Sequence, residues 1–131
     1  MIAVDTNLLL RLLVNDDPAQ AAKAKQLFDA RAGEDGSIWV GDTVLVELVW
    51  TLSRAYGRPR ADLVTALRAL ACHATLMIES ADAVRAAIEV YERSLADFSD
   101  CLLPEKAQRA GCDQLVTFDN GVRALAGVAL L

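Results

Sequence analysis

The chain begins with MIAVDTNLLLRLLV, residues 1–14, and this stretch decides the class of fold that we expect. Ile2–Val4 is a short apolar run typical of a buried strand, and the apolar residues of Leu8–Val14 indicate a helix. Between them lie Asp5, Thr6 and Asn7, whose side chains are of the types that cap helix N-termini. A strand that passes through a polar turn directly into a helix is the repeating unit of parallel α/β folds.

The same alternation continues to the end of the chain. The further predicted strands are Ile38–Val40, Thr75–Ile78, Leu115–Phe118 and a final apolar run Val128–Leu131. The further predicted helices are Pro18–Ala32, Val44–Tyr56, Asp62–Ala71, Ser80–Ser94 and Leu102–Ala110. No repeat or linker interrupts them, so we expect a single domain over residues 1–131. The expected architecture is a three-layer α/β/α sandwich with a short, mainly parallel central sheet.

Composition excludes several classes of protein. The net charge of −5 argues against a basic protein that coats nucleic acid, so any nucleic acid must be bound by a local patch. The three cysteines have neither disulfide-framework nor zinc-ligand spacing, which favours a reducing cytoplasm. We also expect neither a signal sequence nor a membrane span, because Arg11 interrupts the first apolar run. A mean hydropathy of +0.29 is high for a small domain and indicates apolar surface that a partner would cover.

Acidic residues follow two of the predicted strands. Asp5 and Asp119 stand where the carboxyl ends of parallel strands border the ligand-binding crevice of an open sheet. The alternative for each is a helix cap. Asp97 and Asp100 precede a predicted helix, where Asp100 is the better candidate for chemistry and Asp97 is a cap or a supporting residue.

Glu47 lies within the apolar run Val44–Trp50 and is expected to be buried. No cation stands three or four residues away, so a buried Glu47 needs either a distant arginine or a metal ion. Other acids are predicted to be solvated and structural: Asp16, Asp17 and Asp42.

If four of these carboxylates converge, they form a hard oxygen site that suits Mg²⁺ or Mn²⁺. Such sites commonly hydrolyse phosphodiesters, so the residues indicate a nuclease. The chain lacks a nucleophile elbow and a glycine-rich phosphate loop, and its one histidine, His73, is predicted to be a surface or capping residue.

With these residues in hand, the chain resembles the PIN-domain ribonucleases, and among them the VapC-type toxins of bacterial toxin–antitoxin pairs. The matching segments occur in the family's order over essentially the whole chain: Val4–Asn7, Asn15–Pro18, Val46–Trp50, Ala96–Asp100 and Gly111–Asp119. The resemblance implies endonucleolytic cleavage of RNA, a homodimer and a cognate antitoxin. One departure is Pro104, which is expected to kink the first turn of the helix after Asp100.

The resemblance also implies the roles of individual residues. The implied Mg²⁺ or Mn²⁺ ligands are Asp5, Glu47, Asp100 and Asp119. The implied supporting polar residues are Thr6, Asn7 and Thr117. For RNA, the positive charge is expected from Arg54, Arg58 and Arg60, although an ordinary solvated surface explains the same arginines.

Three other functions fit parts of the sequence. One is a DNA-directed or structure-specific nuclease that uses the same acids. A phosphotransferase with Asp5 as nucleophile fits less well, because Asn7 stands where that chemistry requires a second aspartate. The third is a non-catalytic binding module in which the acids are caps and ion pairs.

Overall fold

The computed structural model of the protein describes residues 1–131 and contains six α-helices and five short strands. In chain order the elements are β1 (Ile2–Ala3), α1 (Thr6–Leu13), α2 (Pro18–Ala30), β2 (Ile38–Val40), α3 (Asp42–Arg54), α4 (Arg60–Ala71), β3 (Leu76–Ile78), α5 (Ala81–Arg93), α6 (Phe98–Arg109), β4 (Leu115–Thr117) and β5 (Val128–Leu130). A single 3-10 turn, Asn120–Val122, follows β4. No helix is both long and apolar enough to span a membrane.

Residue contacts divide the chain into two compact units, Met1–Glu79 and Ser80–Leu131. In the first unit, β2 lies between β1 and β3. In the second, β4 pairs with β5. Every strand pair is parallel, which confirms the predicted α/β class. The strands nevertheless form two hydrogen-bonded ladders, where the sequence predicted one central sheet.

The core of the first unit is built on the middle strand. Ile38 of β2 pairs with Ile2 on one side and Leu76 on the other, and it has no exposed surface. Helix α3 packs against α1 and α4. It contributes apolar side chains that recur every three or four residues: Leu45, Leu48, Val49 and Leu52. This spacing gives α3 one buried face and leaves the opposite face to solvent.

The core of the second unit lies between α5 and α6. Tyr91 and Phe98 meet edge to face with ring centroids 5.7 Å apart. Ala87 of α5 and Cys101 of α6 are both fully buried. Small side chains of this kind let two helices approach closely, while the aromatic pair fills the remaining space.

Helix α6 begins earlier than its sequence predicts. It starts at Phe98, not Leu102, because Phe98 is buried in the core and holds the polar residues after it in the first turn. Pro104 therefore lies in the second turn, inside a helix that continues to Arg109, and is further from the helix start than the sequence predicts. Proline has no N–H, so Pro104 cannot donate the usual helical hydrogen bond to the carbonyl of Asp100.

Candidate active site

Asp5 is the N-cap of α1 and is exposed. Its Oδ1 accepts a hydrogen bond of 3.0 Å from the backbone N–H of Leu8. The capping role considered from the sequence is therefore present, and it uses one of the two carboxylate oxygens. Thr6 is buried in the first turn, while Asn7 is exposed. The start of α1 thus holds the Asp5 side chain in a defined position.

Glu47 is exposed, so the prediction that it is buried is wrong. Seven-residue apolar runs are ambiguous, because a helix with 3.6 residues per turn must direct some of their side chains outward. Leu48 and Val49 take the buried face of α3, and Glu47 falls on the other side with Trp50. Glu47 needs no partner to offset desolvation, and the argument that it requires a metal or an arginine does not hold.

Two carboxylates of the second unit lie near the carboxylate of Asp100. Asp97 is at the N-cap position of α6 but makes no side-chain capping bond, which leaves its carboxylate available. The pKa of Asp100 is raised, first by burial and then by the negative charges of Asp97 and Asp119. Asp97 and Asp119 thus each lie within electrostatic range of Asp100. None of them forms an ion pair.

The turn after β4 holds Asp119. Its Oδ1 accepts a 2.8 Å hydrogen bond from the N–H of Gly121, and its own N–H donates to Oγ1 of Thr117 at 3.0 Å. A Cβ on Gly121 would lie 3.0 Å from Oδ1 of Asp119, closer than side chains normally approach. Thr117 and Gly121 therefore determine where the Asp119 carboxylate sits.

The donor chemistry of this second-unit cluster fits a hard divalent cation. Asp97, Asp100 and Asp119 offer only oxygen, and burial, followed by the negative charges of Asp97 and Asp119, raises the pKa of Asp100. No group of three or more acidic, histidine or cysteine side chains in either unit is already arranged as a set of ligands. The residues thus suit the ion chemically, and binding would require side-chain adjustment.

The three acids predicted to be structural differ in their surroundings. Asp16 accepts hydrogen bonds of 2.6 Å from both Arg11 and Tyr56. The hydrogen bond from Tyr56, followed by the charge of Arg11, lowers the pKa of Asp16. Asp17 caps α2 by accepting from the N–H of Gln20.

Asp42 contradicts its prediction, because it is only 6% exposed. It is the first residue of α3, directly after the buried strand β2, and at this position it is buried within the first unit. Its N–H donates a 3.0 Å hydrogen bond to Oε1 of Glu79.

The arginines proposed for RNA lie at the end of α3 and the start of α4. Arg54 and Arg58 are exposed and form no ion pair, whereas Arg60 is half-buried and interacts with other groups of the protein. His73 is exposed, and its Nδ1 accepts from the N–H of Thr75, as expected for a surface histidine.

Sequence analysis missed two exposed aromatic residues beside candidate acids. Trp50, one turn after Glu47, is 59% exposed, and Phe118, directly before Asp119, is 79% exposed. The sequence predicts a buried helix around Trp50 and places Phe118 at the end of a strand. The spacing of Trp50 three residues after Glu47 was the available signal, since residues three apart share one side of a helix.

Comparison with known proteins gives one family for nearly the whole chain. The family model described as PIN domain matches residues 2–128. A VapC ribonuclease of Aquifex aeolicus (strain VF5) is 26% identical over 125 residues, which cover 95% of this chain and 92% of the relative. The crystal structure of the Mycobacterium tuberculosis toxin VapC20, described as cleaving the sarcin–ricin loop, matches with 22% identity and a TM-score of 0.47. That match covers 98% of this chain and 97% of VapC20.

Proposed function

The chain belongs to the PIN-domain family, and we propose that it is a metal-dependent endoribonuclease that acts as the toxin of a VapBC-type pair. The relative from Aquifex aeolicus, which is named a VapC ribonuclease and aligns over 95% of this chain, supports the assignment. We further propose that both compact units form one catalytic domain, because the family match runs through both of them.

One observation carries the proposal. Asp100 is a half-buried acid whose pKa is raised by burial and by two neighbouring carboxylates. Keeping like charges together costs stability unless a cation offsets them. A protein that needed Asp97, Asp100 and Asp119 only for folding would gain by separating or neutralising them, so the cluster favours a site that binds a cation.

The proposed ligands are Asp5, Glu47, Asp100 and Asp119, the set that the family resemblance implies. A bound Mg²⁺ or Mn²⁺ ion would lower the pKa of a water molecule and offset charge on the phosphate. The chain's own residues supply the rest. Thr117 orients the backbone of Asp119, and Arg54 and Arg58 offer unpaired positive charge to RNA phosphates.

We propose two protein partners as well, a cognate antitoxin and a second copy of the chain. The support is the toxin resemblance and the exposure of large apolar side chains, among them Leu95 at 95% and Leu131 at 80%. Co-expression with the antitoxin should suppress RNA cleavage, and sedimentation of the purified protein should give the mass of a dimer.

Metal-dependent cleavage of RNA tests the catalytic proposal directly. The purified protein should cut RNA in Mg²⁺ or Mn²⁺ and stop in EDTA, and Asp100→Asn should abolish cutting. Asp82→Asn is the matched control, because Asp82 is an exposed acid of the same unit that pairs only with Arg85 on the surface of α5. Activity that persists in EDTA would contradict the metal mechanism. Equal cleavage of DNA and RNA would favour the DNA-directed or structure-specific nuclease.

One specific observation favours a non-catalytic module. Asp5 and Asp119 each use a carboxylate oxygen to accept a local backbone N–H, as structural caps do. In that case Asp5→Ala and Asp119→Ala would destabilise the protein and no RNA cleavage would be detected with any divalent ion. Asparagine also caps helices well, so Asp5→Asn should keep the cap. If Asp5→Asn abolishes RNA cleavage without loss of stability, the protein is not a non-catalytic module.

A further inference from the structure

One side of α3 carries a row of exposed side chains. Residues of a helix advance by about 100° each, so Thr43, Glu47, Trp50 and Arg54 fall within an arc of about 60°. All four are exposed, while Leu45, Leu48, Val49 and Leu52 on the other side are buried. With a rise of about 1.5 Å per residue, Arg54 lies about 10.5 Å along the axis from Glu47, and Trp50 lies between them.

Trp50 is the unusual member of this row. Burying an aromatic side chain is strongly favourable, yet Trp50 is 59% exposed. Its ring does not pack against the ring of another aromatic residue. Its indole therefore presents a flat apolar surface beside polar neighbours, which is the arrangement on which nucleic-acid bases stack.

Unpaired positive charge continues the row past Trp50. Arg54 lies one turn further along α3, and Arg58 follows the helix end. Gly57 has a φ of +61°, a left-handed conformation that reverses the chain so that the N–H of Arg58 donates to the carbonyl of Leu52 at 3.0 Å. This bond returns Arg58 to the last turns of α3. In a chain of net charge −5, two neighbouring arginines without acidic partners are complementary to an anion.

We propose that Trp50, Arg54 and Arg58 form a track for RNA, in which Trp50 stacks on an unpaired base and the two arginines bind backbone phosphates. The inference rests on the proposed ribonuclease function and adds to it a base-stacking residue, Trp50. Bases in a duplex are stacked on each other and cannot reach an indole, whereas bases in loops and single strands can. The track therefore predicts that Trp50 contacts RNA only where the bases are unpaired.

The fluorescence of Trp50 tests stacking directly. The chain has only two tryptophans, so the Trp39→Phe variant leaves Trp50 as the sole indole. In EDTA, where no cleavage occurs, an eight-nucleotide single strand should quench its emission. An abasic phosphodiester of the same length and a blunt RNA duplex should not. Equal quenching by the abasic strand, or none by the single strand, would overturn the proposal.

Affinity measurements separate stacking from charge. Trp50→Leu should weaken single-strand binding roughly five- to hundredfold, and Trp50→Phe should weaken it less. Arg54→Gln and Arg58→Gln should each reduce the salt dependence of binding by about 0.7 in logarithmic slope. Met77→Ala, which removes another exposed apolar side chain of the same unit, should change neither quantity.

Two further outcomes are distinguishable. If Trp50→Leu leaves RNA affinity unchanged but lowers the mass measured by sedimentation, Trp50 contacts a second copy and the proposal is wrong. If the protein cleaves RNA in a metal-dependent way while Trp50 remains unquenched, the ribonuclease function stands and the track is wrong.

Discussion

At the scale of single residues, the acids divide by what surrounds them. Asp16 is matched to Arg11 and Tyr56, which favour its charged form, whereas Asp100 is half-buried beside two like charges, which disfavour it. An acid whose charged form is favoured by its neighbours adds to the stability of the folded protein, and an acid whose charged form is disfavoured reduces that stability. This contrast gives opposite responses to pH.

Asp100→Asn should stabilise the protein in EDTA at neutral pH while it abolishes cleavage. The folded-state pKa of Asp100 lies above the unfolded value of about 4, so the folded protein loses stability as pH rises from about 4 through the raised pKa. Asparagine carries no charge and escapes that loss, which should raise Tm by on the order of a few degrees at pH 7 and by less at pH 4. Thermal unfolding at both pH values measures it. A variant less stable than wild type at pH 7 would show that Asp100 is structural.

Tyr56→Phe should have the opposite dependence on pH. The pKa of Asp16 is lowered, so the stability that its pairing contributes is present above about pH 4 and is lost as pH falls through the lowered pKa. Removing the Tyr56 hydroxyl should therefore lower Tm at pH 7, and the gap from wild type should narrow in acid. A gap that is constant between pH 7 and pH 2 would mean that the hydroxyl acts through packing, not through the charge of Asp16.

At the scale of elements, the turn after α3 that positions Arg58 depends on the backbone conformation of Gly57. Gly57→Ala should destabilise the protein by about 1–2 kcal/mol, because alanine resists the left-handed conformation. No atom lies within 4 Å of the added Cβ, so the cost is one of backbone conformation alone. Gly57→Asn should cost less, since asparagine tolerates that region. Urea unfolding compares the two variants, and equal costs for both would point to a steric cause instead.

At the scale of the whole molecule, a divalent ion that binds the proposed acids should stabilise the folded protein. Mn²⁺ that binds only the folded state should add about 2.7 kcal/mol to the free energy of unfolding at a hundredfold excess over its Kd. The Asp100→Asn, Asp119→Asn double variant should lose that gain, and the Asp82→Asn control should keep it. Chemical denaturation with and without Mn²⁺ gives the comparison. A wild type indifferent to the ion would contradict the proposed metal site.

The sequence alone determined those features that depend on residues a few positions apart. These include the strand–turn–helix start, the cap provided by Asp5 and the entry of α2 at Pro18. Only the tertiary structure decided which side of each helix meets a core. It exposed Glu47 and Trp50, buried Asp42, and began α6 at Phe98. It also brought Asp119 within electrostatic range of Asp100, nineteen positions earlier in the chain. Burial and the proximity of charges depend on packing between segments that are distant in the chain, and local sequence patterns do not determine that packing.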